Sequence, residues 1–262
     1  MRFMTLIFPV VIIIICLLTS AICYAQTSNT RITPEFDVYV SEHQPNINFD
    51  GKFRNYAGYV NGSIVSYIKF NLSSIPKPGL MKDIVIDSAE LRLLVPATST
   101  EDYDQFVSVS LCNNNTWKPD KITWNSPVCS NSTSLKGMDS IVVGRYSQPV
   151  VYGWDVLGGI VDAIANNTND ITLVITSFPL VGQNIGYELL PESSNIEGNV
   201  TFWSMEKSGF GFSAAPLLII SYTIKESSFA TYLYFILSTV LPTLAIILPF
   251  ILWLYRKIDK QR

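Results

Sequence analysis

The chain has 262 residues, of which 48% are hydrophobic and 15% are charged. Once an apolar segment at each end is set aside, the remainder is long enough for one domain of about 200 residues. From Gln26 to Ser228 there are 13 Lys and Arg against 20 Asp and Glu, a net charge of −7. That balance excludes the basic surface that nucleic-acid binding requires.

The N-terminus has the pattern of a secretory signal. Arg2 precedes an uncharged apolar run from Leu6 to Ile22, and Ala25 supplies the small residue that signal peptidase needs at its cleavage position. We therefore expect residues 1–25 to be a signal peptide that is cleaved after Ala25. An uncleaved membrane anchor is the alternative, because the apolar run is almost long enough to cross a bilayer.

The strand pattern begins after a polar segment, residues 26–35, that we expect to be a flexible lead. In Ser63–Leu72 the apolar side chains Ile64, Ile68 and Phe70 alternate with the opposite face, which is typical of a half-buried strand. Ser88–Val95 alternates in the same way. Further short apolar or alternating runs occur at Phe36–Val40, Val107–Leu111, Ile141–Val143, Val150–Trp154, Ile171–Ile175, Gly186–Leu190, Val200–Trp203 and Leu217–Tyr222.

One segment, Val156–Ala165, has helical spacing, with Asp155 as its expected N-cap. Many short strands and one short helix predict an all-β ectodomain over residues 36–224. The expected fold is a two-sheet antiparallel β-sandwich, jelly-roll-like in form.

An uncharged segment from Phe229 to Tyr255 predicts a single transmembrane helix over residues 229–255. Arg256, Lys257, Lys260 and Arg262 follow it, so the positive-inside rule places the tail, residues 256–262, in the cytoplasm. The chain is thus expected to be a single-pass type I protein of the cell membrane, with the sandwich outside the cell.

Two cysteines stand outside the N-terminal segment, Cys112 and Cys129. In an exported chain such a pair is expected to form a disulfide. Six Asn-X-Ser/Thr sequons in the exported region predict N-glycosylation. They are at Asn61, Asn71, Asn114, Asn131, Asn166 and Asn199.

Several strings resemble, in order, those of a DNRLRE-type module, the disaggregatase-related sandwich that is also classed among carbohydrate-binding modules. They are D-V-Y-V at 37–40, Y-I-K-F-N-L-S-S-I-P at 67–76, I-D-S-A-E-L-R-L at 86–93, W-K-P-D-K-I-T-W-N-S-P at 117–127, W-D-V at 154–156, F-W-S-M-E at 202–206 and P-L-L-I-I-S-Y at 216–222. The resemblance covers the exported region and implies a β-sandwich that binds a polysaccharide.

Sugar binding needs exposed aromatic faces flanked by polar side chains. We expect these in nearby turns and in the loop that Cys112 and Cys129 close, which we call the stapled loop. The expected ligand residues are Trp117, Trp124, Tyr103, Asp120 and Asn125, with Tyr56 and Tyr59 as further rings. Trp117 is favoured as an open platform and Trp124 as more structural, although either ring could instead be a core wedge. Trp154 and Trp203 lie in strands, where burial is the default.

No catalytic arrangement is indicated. His43 is the one histidine in the sequence, and no nucleophile-elbow motif is present that could supply a serine or cysteine for it to activate. We expect no enzyme activity and no cofactor. Asp102 and Asp104 form a weak calcium candidate, with a solvated loop as the favoured alternative.

The predicted function is noncatalytic recognition of a polysaccharide at the cell surface. A structural or adhesive protein that binds another envelope protein is the main alternative, and a polysaccharide-acting enzyme is less favoured.

Overall fold

The computed structural model describes residues 25–79, 82–96, 104–129, 135–144, 148–183, 186–189, 198–205, 214–226, 233 and 236–259. This part of the chain forms strands, two helices and short turns. The strands are β1 Gln26–Ile32, β2 Phe36–Ser41, β3 Arg54–Tyr59, β4 Ser63–Asn71, β5 Lys82–Val95, β6 Gln105–Cys112, β7 Leu135–Val143, β8 Val150–Asp155, β9 Asp170–Gln183, β10 Gly186–Leu189, β11 Gly198–Trp203 and β12 Leu217–Glu226. The helices are α1 Leu157–Ala165 and α2 Leu241–Asp259.

The strands form two antiparallel sheets that make a sandwich, which confirms the predicted fold class. The smaller sheet has the order β1-β12-β5-β8. The larger sheet has the order β11-β3-β4-β9-β6-β7, with β2 also paired to β4 and β10 to β9. Most of its neighbours are far apart in sequence, so their pairing depends on tertiary folding.

The main core follows the period-2 pattern of the sequence. In β5, Ala89, Leu91 and Leu93 are buried, and Leu91 lies opposite Trp154 of β8. Trp154 is 0% exposed, and its indole N–H donates a hydrogen bond to the carbonyl oxygen of Val107 at 3.0 Å. Its predicted burial is therefore confirmed, and the bond satisfies the one polar atom that the ring carries into the core.

The prediction of a flexible lead over residues 26–35 is wrong for its first seven residues. Residues 26–32 form β1, an edge strand beside β12. The Oγ1 atoms of Thr27 and Thr223 lie 3.4 Å apart between these two strands. A polar sequence is compatible with this position because one face of an edge strand is solvated.

Strand β3 was also missed by the sequence pattern, because Arg54–Tyr59 is too polar to show a clear apolar alternation. Its pairing to β4 depends on the turn at Asn61 and Gly62, which have φ angles of 51° and 133°. Asn and Gly are the residues that adopt positive φ most readily. The turn therefore brings Tyr59 opposite Ser63.

Helix α1 begins at Leu157, one residue after the predicted start, and ends at Ala165 as expected. The prediction of Asp155 as the N-cap is wrong, because Val156 occupies that position and makes no side-chain cap bond. Asp155 precedes it, and its carboxylate accepts a hydrogen bond from the Leu157 N–H at 2.8 Å, which satisfies one donor of the first turn.

The chain divides into two compact units. One comprises residues 28–76 and 86–222, and the other comprises the described parts of 1–27, 77–85 and 223–262. The second unit contains a π-helical turn, Ile236–Val240, followed by α2. The segment Ile236–Trp253 has a mean hydropathy of 2.2 and is long enough to span a membrane. Three predicted segments lie partly outside the described residues. These parts are residues 1–24 of the predicted signal 1–25, residues 229–232, 234 and 235 of the predicted span 229–255, and residues 260–262 of the predicted tail 256–262.

Candidate functional site

The stapled loop covers one face of the larger sheet. Cys112 and Cys129 form the predicted disulfide, with Cα atoms 6.2 Å apart. Beneath the loop lies a second hydrophobic cluster, distinct from the core between the sheets. Its buried members are Val38, Val40, Tyr67, Cys112, Trp117, Ile122, Val128 and Val174.

Trp117 lies within this cluster and is only 6% exposed. Its indole N–H donates a hydrogen bond to the Thr172 hydroxyl oxygen at 2.9 Å, and its ring lies 6.2 Å from that of Phe36 and 6.4 Å from that of Tyr67. The prediction of an open Trp117 platform is therefore wrong. The reason is that β2, β4 and β9 bear apolar side chains on this face, and the loop buries them with its own rings.

The other predicted ligand residues do not form one surface with Trp117. Trp124 is half-buried against the same cluster, as its more structural role implied. Asp120 is exposed and pairs with Lys121 at 3.4 Å. Asn125 is exposed, but its backbone N–H donates to the Pro45 carbonyl at 3.1 Å and its side-chain amide to Asn46 Oδ1 at 2.8 Å. These contacts give Asn125 a structural role.

Tyr103 and Asp102 lie outside the described residues. Asp104 is described, and its backbone carbonyl accepts the Leu180 N–H at 2.8 Å. Within the described ranges, no group of three or more His, Cys, Asp or Glu side chains is placed to hold a metal ion. The weak calcium candidate thus remains a prediction.

A different set of rings comes together at β2 and β3. Tyr39 of β2 stacks on Phe49 with ring centroids 4.3 Å apart and an interplanar angle of 18°. Tyr56 of β3 meets Tyr39 edge-on at 5.1 Å. All three rings are half-buried, so each keeps part of its surface open to solvent.

Burial raises the pKa of the Tyr39 hydroxyl to about 12, with a smaller contribution from the nearby Tyr56. A tyrosine hydroxyl is already protonated at neutral pH, and the raised pKa extends the range over which that of Tyr39 can donate a hydrogen bond to more alkaline pH.

The row of rings continues along β3 and β11. Arg54 and Tyr56 lie on the same side of β3 by strand alternation, and Trp203 and Thr201 are their direct partners on β11. The Arg54 guanidinium carbon lies 4.7 Å from the centre of the Trp203 ring, a cation–π contact. Trp203 is half-buried rather than a core residue, which corrects the default expectation for it.

We call the set Tyr39, Phe49, Arg54, Tyr56 and Trp203 the aromatic face. Partly exposed rings offer flat apolar surfaces, while the hydroxyls and the guanidinium offer hydrogen bonds beside them. This combination suits a ligand that has both C–H faces and hydroxyl groups. Of these residues, only Tyr56 was among the rings expected from sequence. Tyr59 is half-buried on the opposite side of β3 by alternation.

The sequons differ in how open their asparagines are. Asn61, Asn71, Asn114 and Asn166 are exposed, Asn199 is half-buried, and Asn131 lies outside the described residues. At Asn114, Oδ1 accepts both the N–H and the hydroxyl of Thr116 at 3.1 Å, while Nδ2 donates to the Val128 carbonyl at 3.1 Å. Glycosylation of all six stays a prediction.

The sandwich and the aromatic face together are typical of a β-sandwich module that presents rings to a ligand. Residues 28–189, more than half of the chain, match the family described as Carbohydrate-binding module family 96. The chain therefore belongs to carbohydrate-binding module family 96. The match confirms the expected class, a carbohydrate-binding module, and the finer DNRLRE assignment stays a prediction. No curated protein matches the chain.

Two of the solved structures that resemble this chain are distant from it in sequence. The human polyomavirus 6 VP1 pentamer is 11% identical, with 78% of this chain and 94% of that chain covered and a TM-score of 0.25. The CBM22-1-GH10 modules of Clostridium thermocellum endo-1,4-beta-D-xylanase 10B, complexed with xylohexaose, are 10% identical, with 75% of this chain and 27% of that chain covered and a TM-score of 0.21. At these scores neither likeness bears on function.

Proposed function

We propose that this protein is a membrane-anchored, noncatalytic module that binds a polysaccharide outside the cell through its aromatic face. The observation that carries the proposal is the stacked Tyr39–Phe49 pair, edged by Tyr56 and continued by Trp203 beneath Arg54, in a chain of a carbohydrate-binding family.

The binding mode follows from the chemistry of the face. A pyranose ring presents axial C–H groups on its flat side, and these pack on aromatic rings while the equatorial hydroxyls reach polar atoms at the edge. The Tyr39 and Tyr56 hydroxyls and the Arg54 guanidinium are the polar atoms here. The Arg54 guanidinium, whose central carbon lies over the Trp203 ring, carries five N–H donors in a fixed fork.

Membrane attachment is supported by the uncharged segment Ile236–Trp253. With residues 1–25 as a cleaved signal, the mature chain would begin at β1, run through the sandwich to residue 224, cross the membrane within residues 229–255 and end in the cytoplasmic tail, residues 256–262. The sandwich would then bind glycan close to its own cell membrane. The noncatalytic assignment is supported by the family, whose members are typically binding modules.

The test is a binding screen of the full-length chain, oxidised and inserted in lipid nanodiscs. The panel is xylan, mixed-linkage β-glucan, galactomannan, pullulan, polygalacturonate and hyaluronan. Tyr56→Ala and Trp203→Ala remove rings of the aromatic face. Tyr152→Ala is the matched control, because Tyr152 is a half-buried ring on β8 of the other sheet.

We expect the wild-type chain to bind at least one polysaccharide and each face variant to lose about 30-fold in affinity, the size of a typical hot-spot residue. The Tyr152→Ala chain should bind as the wild type does. Equal affinity of all four proteins would move the site elsewhere on the sandwich. A folded wild-type chain that binds nothing on the panel or on a wider glycan array would favour the protein-binding alternative.

A further inference from the structure

We propose that Asn48 is a positioning residue for the aromatic face. In this inference its side chain fastens the connection between β2 and β3 to the stapled loop and so holds Phe49 in its stack on Tyr39. The link from this position to glycan affinity rests on the function proposed above.

The first observation is the hydrogen bonding of Asn48. Its Nδ2 donates to the carbonyl oxygens of Pro119 and Ile122, both at 2.6 Å, and its Oδ1 accepts the Asp50 N–H at 3.0 Å. Both N–H groups of the amide and one acceptor site are therefore in use. These bonds hold the residues on both sides of Phe49, namely Asn48 and the backbone of Asp50.

The second observation is that the segment to which Asn48 bonds is itself held in place. Pro119–Lys121 is a 3-10 turn inside the disulfide ring, and the Ile122 N–H donates back to the Pro119 carbonyl at 3.2 Å. Ile122 is 6% exposed in the cluster that contains Trp117. The Pro119 and Ile122 carbonyls that accept hydrogen bonds from Asn48 therefore belong to a segment that is closed by the disulfide and packs on the hydrophobic cluster.

The third observation is a second tie at the start of the same connection. The Asn125 N–H donates to the Pro45 carbonyl and its amide to Asn46 Oδ1. The connection between β2 and β3 is thus attached to the stapled loop at residues 45 and 46 and again at Asn48, and Phe49 directly follows the second attachment. A ring held in place before the ligand arrives loses less conformational entropy on binding, which raises affinity without a new ligand contact.

The structural arm of the test needs no glycan. A 3-fluorotyrosine placed at position 39 of the full-length chain reports the ring current of Phe49 through its fluorine chemical shift. Phe49→Ala gives the reference shift of the unstacked ring. Asn48→Asp is the main variant, because it keeps the shape of the side chain and replaces the two donors with an acceptor that faces two carbonyls. Asn46→Ala is the control, since it removes only the bond to Asn125.

We expect Asn48→Asp to move the fluorine shift most of the way to the Phe49→Ala value, and Asn46→Ala to leave it near the wild-type value. Asn48→Ala serves as a second variant if the aspartate chain does not fold. A wild-type fluorine shift in a folded Asn48 variant would overturn the inference.

The binding arm is a double-mutant cycle with the panel polysaccharide that the wild type binds most tightly. Asn48→Asp should raise Kd roughly 3- to 10-fold in the wild-type background, as expected for one ordered side chain, and less than about 2-fold in the Phe49→Ala background. Equal effects in both backgrounds would mean that Asn48 acts through general stability, which would contradict positioning. If the wild type binds no glycan, the proposed function fails, while the fluorine shift still decides whether Asn48 holds Phe49.

Discussion

The indole nitrogen of Trp117 donates a hydrogen bond to the hydroxyl of Thr172, 55 residues further along the chain. This bond joins the stapled loop to β9 and closes the second hydrophobic cluster over the larger sheet. The ring that sequence reasoning assigned to a sugar is therefore a stability element.

Replacing Trp117 with alanine should lower the free energy of unfolding by about 3–5 kcal/mol, the range for a buried aromatic side chain. Glycan affinity per folded molecule should stay unchanged, because Trp117 is not part of the aromatic face. Urea unfolding and binding assays on the same samples check both points. Thr172→Val is the milder companion, expected to cost about 1–3 kcal/mol because it leaves the indole N–H unsatisfied. Loss of binding with wild-type stability would restore Trp117 to the ligand site.

Removing the disulfide should destabilise the sandwich by about 3 kcal/mol, because Cys112 and Cys129 close a short loop in the unfolded chain. The double variant Cys112→Ser, Cys129→Ser tests this by urea unfolding with and without a thiol reductant. The reductant should weaken the wild type and leave the double variant unchanged. If the two proteins unfold at the same denaturant concentration under oxidising conditions, the bond contributes nothing to stability.

The stability of the sandwich should fall as the pH rises from 10 to 12. Burial raises the pKa of Tyr67 from 10.0 to about 12, so the unfolded chain ionises before the folded one does. The tyrosine therefore has no effect on stability below pH 10, and on the order of 2 kcal/mol is lost by pH 12.

The comparison protein for this prediction is Tyr67→Phe, which keeps the ring and removes the ionisable hydroxyl. Its unfolding free energy should fall less steeply than that of the wild type between pH 10 and pH 12, measured by chemical unfolding at fixed pH values. Parallel pH curves for the two proteins would show that Tyr67 ionises equally in both states.

The C-terminal helix should hold the protein in the membrane. In membrane fractions washed with alkaline carbonate we expect the full-length chain to remain in the pellet, because Ile236–Trp253 is long and apolar enough to span the bilayer. A chain that stops at Ser228 should be released into the supernatant. Extraction of the full-length protein by carbonate would argue against a spanning helix.

The period-2 alternation of Ala89, Leu91, Leu93 and Val95 was sufficient to predict the buried face of β5, because that pattern is local to one strand. The same reasoning on β4 identified one buried face, yet Tyr67 and Lys69 on the other face are buried as well. Tyr67 is buried in the cluster beneath the stapled loop, beside Trp117. Lys69 forms ion pairs with Glu35 and Asp170, both at 3.3 Å. A strand pattern records neither set of contacts.

In the candidate site, too, the sequence shows single residues but not the contacts between them. Tyr56 was visible as an aromatic residue near a turn, but nothing local to it indicates that Tyr39 and Phe49 lie beside it. Nor does the local sequence around Asn48 indicate what this part of the connection between β2 and β3 does. Its role becomes clear when Asn48 is seen to bond the backbone of residues 119 and 122, more than 70 positions away.

The sequence by itself determined the β class, the disulfide pair and the apolar C-terminal segment, because each depends on residue type and short-range spacing. Only the tertiary structure decided which tryptophan is buried and which rings share a surface. Those outcomes depend on contacts between strands and loops that are distant in sequence. The side chains that become buried are the ones that cover the apolar faces of the sheets.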